Sequence, residues 1–208
     1  MNKSSNRHFS MLRAFSPADF FTLANASSGA AAIFLAIRYA SGGSVGLIWI
    51  ALALLPLSLV CDFLDGYIAR KTNLSSPLGA DLDSLADILS FGMAPAVLGY
   101  VLGLNGLWDT IILIYFVACG VARLARYNVT AEELSDESGK VAYYEGTPIP
   151  TSVLIPCVLA LFVALGRVGS DVPLGEFSPL GWVLHPFSFI YFLSGTAMIS
   201  ATLKIPKP

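Results

Sequence analysis

The chain has 208 residues, of which 55% are hydrophobic and only 12% charged, with a formal net charge of −2. That charged share is about half of what a soluble domain carries, so an ordinary globular protein is excluded. The near-balanced charge gives no sign of a nucleic-acid partner, and the composition is that of an all-α, polytopic membrane protein forming one domain.

Residues 1–15 are polar, with scattered Lys3, Arg7 and Arg13 among Phe9, Met11, Leu12 and Phe15. They read as a juxtamembrane amphipathic helix, separate from a transmembrane domain over 16–208. No removable signal peptide is expected, because the first apolar segment lacks a small-residue cleavage site. Ser16-Pro17-Ala18-Asp19 is a helix start, with a cap residue, a proline in the first turn and an acid three residues after the cap. The first span, about 20–39, is rich in alanine, glycine and serine, which suits close helix packing. Asn25 within it is read as an interhelical hydrogen-bonding residue; a functional element with Thr22 rests on a family resemblance alone. Ser41 to Ser44 form a turn, and a second span covers about 45–64, kinked at Pro56.

That span runs into Cys61–Phe91, which holds five of the fourteen acidic residues: Asp62, Asp65, Asp81, Asp83 and Asp87. The sixteen residues before it, from Val45 to Val60, carry no charge. Carboxylates are costly near hydrocarbon and mark function. Asp62 and Asp65 are three apart and Asp83 and Asp87 four apart, so each pair shares one helix face. The polar run Lys71 to Pro77 is a turn, which folds the two helices back so that the carboxylate pairs face each other. Hard divalent cations suit such a set. Gly66 and Gly79 admit a ligand close to the backbone, and Arg70 and Lys71 stand where they could hold phosphate oxygens. Together these features suggest transfer at a diphosphate-activated phosphorus.

Further spans are expected over about 83–103, 108–127, 151–165 and 186–201, giving six. Residues 128–146, with Glu132, Glu133, Asp136 and Glu137, read as a solvated loop. Trp108 and Trp182 fall at span ends as interface anchors, Cys61, Cys119 and Cys157 read as small buried hydrophobes, and His8 and His185 receive no role. Gly92, Gly99 and Gly103 suit helix contacts. Six spans place both termini on one side, and ten of the twelve basic residues fall there, so the termini and the acidic site are expected to face the cytosol.

The pattern Asp62, Asp65, Gly66, Ala69, Arg70, Gly79, Asp83, Asp87 resembles the full signature of the CDP-alcohol phosphatidyltransferases, matching at all eight specified positions. Downstream, Gly120 to Thr130 contains an Ala-Arg-Leu-Ala-Arg-Tyr-Asn run, followed by Tyr143-Tyr144-Glu145-Gly146-Thr147-Pro148-Ile149-Pro150. Both segments are similar to the phosphatidylserine synthases of that family, the fungal type of the endoplasmic reticulum above all, with Tyr127 and Tyr144 where phenylalanine is usual. The similarity covers nearly the whole chain.

The resemblance implies transfer of a phosphatidyl group from CDP-diacylglycerol to L-serine, giving phosphatidylserine and CMP. It implies that Asp62, Asp65 and Asp83 ligate Mg²⁺ or Mn²⁺, and that Asp87 is the general base or a further metal ligand. Gly66, Ala69, Arg70 and Gly79 would bind the nucleotide donor. Arg123, Arg126, Tyr127 and Tyr144 would bind the acceptor or a phosphate, although charge placement alone equally suits anchoring of the two arginines to anionic headgroups. A homodimer is expected, in the endoplasmic reticulum membrane if the source is eukaryotic and in the inner membrane if bacterial. The alternatives are a family member using inositol or glycerol 3-phosphate and, more distantly, a cation transporter with an acidic ion path. An aspartate-rich prenyltransferase would show its acidic motif twice, and this chain has one acidic cluster.

Overall fold

The computed structural model describes residues 16–72, 77–135 and 143–206, so the helix expected over 1–15 lies outside the described residues. The fold is helical. α1 (Pro17–Ala40) and α2 (Val45–Thr72) form a long hairpin. α3 (Pro77–Asp87) continues through a π-helical turn, Ile88–Met93, into α4 (Ala94–Val101), and α5 (Leu107–Ser135), α6 (Leu154–Ala164) and α7 (Phe189–Ile199) follow. Two three-residue strands, β1 (Tyr143–Glu145) and β2 (Lys204–Pro206), pair antiparallel, Tyr144 opposite Ile205.

Among the described residues, four helices are long and apolar enough to cross a membrane: Pro17–Ala40, Val45–Thr72, Leu78–Val101 and Leu107–Val129. The last two expected spans appear as shorter apolar helices, Ile149–Ala164 and Pro186–Ile199. α2 runs through Pro56 and the acidic motif as far as Thr72. The third helix begins at Pro77 rather than near Asp83, a proline suiting the first helical position because its missing N–H has no partner to lose there. Residues 128–135, expected as loop, extend α5. Cys61 and Cys119 are buried as expected, but Cys157 is exposed on the outer face of α6, where an apolar thiol suits a lipid-facing surface.

α1 starts as its sequence dictates. Ser16 Oγ accepts the Asp19 N–H at 3.4 Å, while Asp19 Oδ2 accepts the Ser16 N–H at 2.6 Å. Its buried stripe is Ala18, Thr22, Asn25, Gly29, Ala32 and Ala36, residues that are small or polar and recur every three or four positions. It packs on Ile48, Leu52, Leu55, Ser58, Cys61 and Asp65 of α2. Between helices in lipid no hydrophobic force operates, so close backbone approach and hydrogen bonds must hold the pair. Gly29 shows how tight the approach is, since a Cβ there would stand 2.8 Å from Ser90 Cα. Gly99 serves α7 likewise, leaving room for the buried Tyr191 ring, whose hydroxyl donates to Pro95 O at 2.8 Å.

The end of the bundle remote from the acidic residues is closed by a buried hydrogen-bond network around Asp109 and His185. Asp109, in the first turn of α5, is fully buried and accepts the Gly106 N–H at 3.1 Å, the His185 N–H at 2.9 Å and a 2.6 Å contact from His185 Nδ1. Trp108 donates to Pro179 O at 3.2 Å and its ring lies 6.0 Å from that of Trp182, so the two tryptophans expected as separate anchors meet. Replacing Asp109 with alanine leaves three buried donors unpaired. The expected loss is about 3 kcal/mol, within the range for breaking a buried pair, read as a lowered unfolding midpoint in detergent; an unchanged midpoint would show that the network contributes nothing.

Candidate active site

The helical spacing places Asp62 and Asp65 on the inner side of α2, and Asp83 and Asp87 on the facing side of α3. Carboxylate oxygens of Asp62, Asp83 and Asp87 all lie within 4.8 Å of one another, drawn from two helices as the two-pair pattern requires. Asp65, one turn along α2, is buried and turned toward α1, where its Oδ2 accepts the Thr22 hydroxyl at 2.8 Å. Asp81 is exposed and stands apart. The residues fit a hard divalent cation: three oxygen donors converge, and buried Asp83 Oδ1 has no hydrogen-bond partner among the described residues.

Of the two readings of Asn25, the interhelical hydrogen bond is the one the structure has. The residue is fully buried and makes interhelical hydrogen bonds, and its partner is Asp87, to whose Oδ1 its Nδ2 donates at 3.2 Å. The Asn25 carbonyl accepts Ser90 Oγ at 2.9 Å and Ser58 Oγ at 3.4 Å. The π turn begins directly after Asp87, and its Phe91 carbonyl accepts Ser152 Oγ at 2.6 Å. Such turns leave backbone acceptors open to side chains and recur at functional sites.

The remaining site residues surround this centre unequally. Gly66 and Ala69 are half-buried on α2, and Gly79 half-buried in the first turns of α3. Arg70 is exposed and curls back over Gly66, where a Cβ would stand 3.4 Å from Arg70 Nη1. Arg123 is half-buried, its guanidinium carbon 5.9 Å from the Tyr127 ring centroid, a cation–π distance. Arg126 is exposed, and the side chain of Tyr144 is outside the described part of the structure. Two links missed in the sequence join α5 and the downstream segment to the acidic helix. Ser84 Oγ donates to Asn128 Oδ1 at 3.1 Å. Ile149, fully buried, and Ile88 both lie over Gly120, for a Cβ there would stand 2.9 Å from Ile149 Cδ1 and 3.1 Å from Ile88 Cδ1. No local signal marked either link: Ser84 and Asn128 stand among other polar residues, and Ile149 is one apolar residue among many.

The CDP-alcohol phosphatidyltransferase family model matches residues 15–194. The chain belongs to that family. It is 41% identical over 208 residues to the CDP-diacylglycerol–serine O-phosphatidyltransferase of Saccharomyces cerevisiae, covering 99% of this chain and 75% of the relative. It is 35% identical over 214 residues to the protein of the same name from Methanocaldococcus jannaschii, with 95% and 89% covered. An archaetidylserine synthase of Methanothermobacter thermautotrophicus is 35% identical over 139 residues, covering 65% of this chain and 56% of the relative.

Removing the Asn25 side-chain amide, as in Asn25→Leu, is expected to weaken Mn²⁺ binding about 10–100-fold, the range for losing a partner that orients a ligating carboxylate. Titration followed by the Mn²⁺ electron paramagnetic resonance signal reads this directly; unchanged affinity would detach Asn25 from the site.

Proposed function

We propose that this chain transfers the phosphatidyl group of CDP-diacylglycerol to L-serine, releasing CMP. The observation that carries the reading is the convergence of Asp62, Asp83 and Asp87 from two helices at one point. The names of the relatives, most of the length of two of which this chain covers, favour serine over inositol or glycerol 3-phosphate. Family membership and the grouping of the conserved-type signature on one site leave the cation-transporter alternative without an observation in its favour.

Each residue has a role in this scheme. Asp62, Asp83 and Asp87, whose oxygens converge, would hold Mg²⁺ or Mn²⁺ with Asp65 alongside, and the ion when bound would offset the charge of the diphosphate and of the departing CMP. Gly66, Ala69 and Gly79 line the nucleotide pocket, and Arg70 pairs with phosphate oxygens. Asp87 takes the proton of the serine hydroxyl as that oxygen bonds to the phosphatidyl phosphorus and the bond from that phosphorus to the CMP oxygen breaks. Asn25, by occupying Asp87 Oδ1, leaves the second oxygen for that proton. Arg123 and Arg126 bind the serine carboxylate or the lipid phosphate, with Tyr127 and Tyr144 beside them. The setting we infer is a six-span domain over 16–208, preceded by a juxtamembrane segment, with the site facing the cytosol. It acts as a homodimer in the endoplasmic reticulum membrane, or in the inner membrane if the source is bacterial.

Purified protein with CDP-diacylglycerol and Mn²⁺ is expected to release CMP with serine and not with inositol or glycerol 3-phosphate, and EDTA is expected to stop it. Release with another acceptor would overturn the headgroup assignment and leave the phosphoryl chemistry. Asp87→Asn is expected to abolish turnover while donor binding, measured with radiolabelled CDP-diacylglycerol, persists; parallel loss of both would make Asp87 chiefly a ligand.

A further inference from the structure

The segment that carries the acceptor-side motif, Tyr143 to Ser152, has no helix of its own to hold its front half. β1 (Tyr143–Glu145) instead pairs with β2 (Lys204–Pro206) near the carboxyl end of the chain, in the register Tyr143 with Pro206 and Glu145 with Lys204. The pairing continues past the strands. Gly146 N–H donates to Leu203 O at 2.9 Å, and Thr147 N–H donates to Ala197 O at 3.1 Å. Gly146 is buried in the left-handed region at φ +74°, and a Cβ there would collide with Met198 O and lie 3.0 Å from Ala197 O. No other residue type meets both demands, since side chains disfavour that φ and the carbonyls leave no room.

The anchor for this contact is rigid. Met198 is buried, Tyr191 meets Phe116 edge-on with centroids 5.3 Å apart, and Tyr115 and Thr196 hydroxyls lie 3.1 Å apart, so α7 is bound to α5 along its length. Three residues beyond Gly146, Ile149 lies over Gly120 beside Ile88, the residue after Asp87. Six beyond it, Ser152 donates to Phe91 O in the π turn. The segment is thus held at its front by the carboxyl-terminal residues and at its rear by the helix that bears Asp87.

We propose that residues 200–206 are a strap that positions the acceptor segment, with Gly146 as the positioning residue at its seat. This rests on the reading of Tyr143 to Ser152 as the acceptor side of the site. The strap acts on where the acceptor binds relative to Asp87 and Arg123, and not on the donor, whose residues lie on α2 and α3. Preordering a binding segment lowers the cost of ordering it when the ligand arrives.

Two measurements on the full chain test it. Gly146→Ala is expected to raise KM for serine by about tenfold, the middle of the range for a residue forced into a strained backbone region, while KM for CDP-diacylglycerol stays within about twofold. Unchanged serine KM, or equal loss toward both substrates, would overturn the proposal. In a Cys157→Ala background, Glu145→Cys with Lys204→Cys is expected to cross-link on oxidation, seen as a linked peptide by mass spectrometry, with serine KM within about twofold of the reduced form. Failure to cross-link, or a cross-link that impairs serine use, would overturn it independently of whether Gly146→Ala folds. If the wild-type protein uses inositol or glycerol phosphate, the headgroup reading fails alone, and the strap is read on that acceptor's KM.

Discussion

Carboxylates inside an apolar bundle must be paired, hydrogen-bonded or bound to a cation, because nothing else offsets their lost hydration. Here one residue of α1 carries much of that demand. Asn25 gives its amide to Asp87 and its carbonyl to Ser58 and Ser90, so α1, α2 and the acidic helix meet at a single buried point. Such hydrogen bonds average only roughly 0.6 kcal/mol each between membrane helices. Their effect is therefore less on stability than on geometry: they set the rotation of α1 that also delivers Thr22 to Asp65.

The small-residue stripe on α1 makes this possible. Gly29 lets the backbone at Ser90 approach to contact distance, and the π turn starting at Ile88 is seated against it. The turn that follows Asp87 is thus held from both sides, by Asn25 through Ser90 and by Ser152 through Phe91. The opposite end of the bundle is closed by Asp109 and His185, a buried pair whose role is to join the start of α5 to the segment that leads into α7. Chemistry and closure therefore occupy separate ends, and the acidic end can keep carboxylates close together without also serving as the fold's main clasp.

Much of this was legible from the residues. The capping box at Ser16, the small-residue face of α1 and the carboxylates at spacings of three and four follow from local periodicity; the structure has the first two in place and brings Asp62, Asp83 and Asp87 together, while Asp65 turns to Thr22 instead. The helix boundaries were less legible. Polar residues such as Asp81 and Asn128 look like loop when read by hydropathy, yet α3 begins at Pro77 and α5 runs on to Ser135, because a helix that reaches beyond the apolar layer keeps its hydrogen bonds whatever its side chains. The two short strands were invisible, since three residues show no period and their pairing joins segments about sixty positions apart.

What the sequence alone determined is the class of the protein and the chemical character of its site: apolar helices, one acidic cluster, and a signature whose spacing puts its carboxylates on two helix faces. These are properties of neighbours along the chain, set by a repeat of 3.6 residues per turn. Only the tertiary structure decided that Asn25 answers Asp87, that Thr22 answers Asp65, that Ile149 and Ile88 meet over Gly120, and that the end of α7 and Leu203 seat Gly146. Those contacts join residues 29 to 62 positions apart and more, and no local rule carries such information; they follow from which faces pack once the helices are brought together.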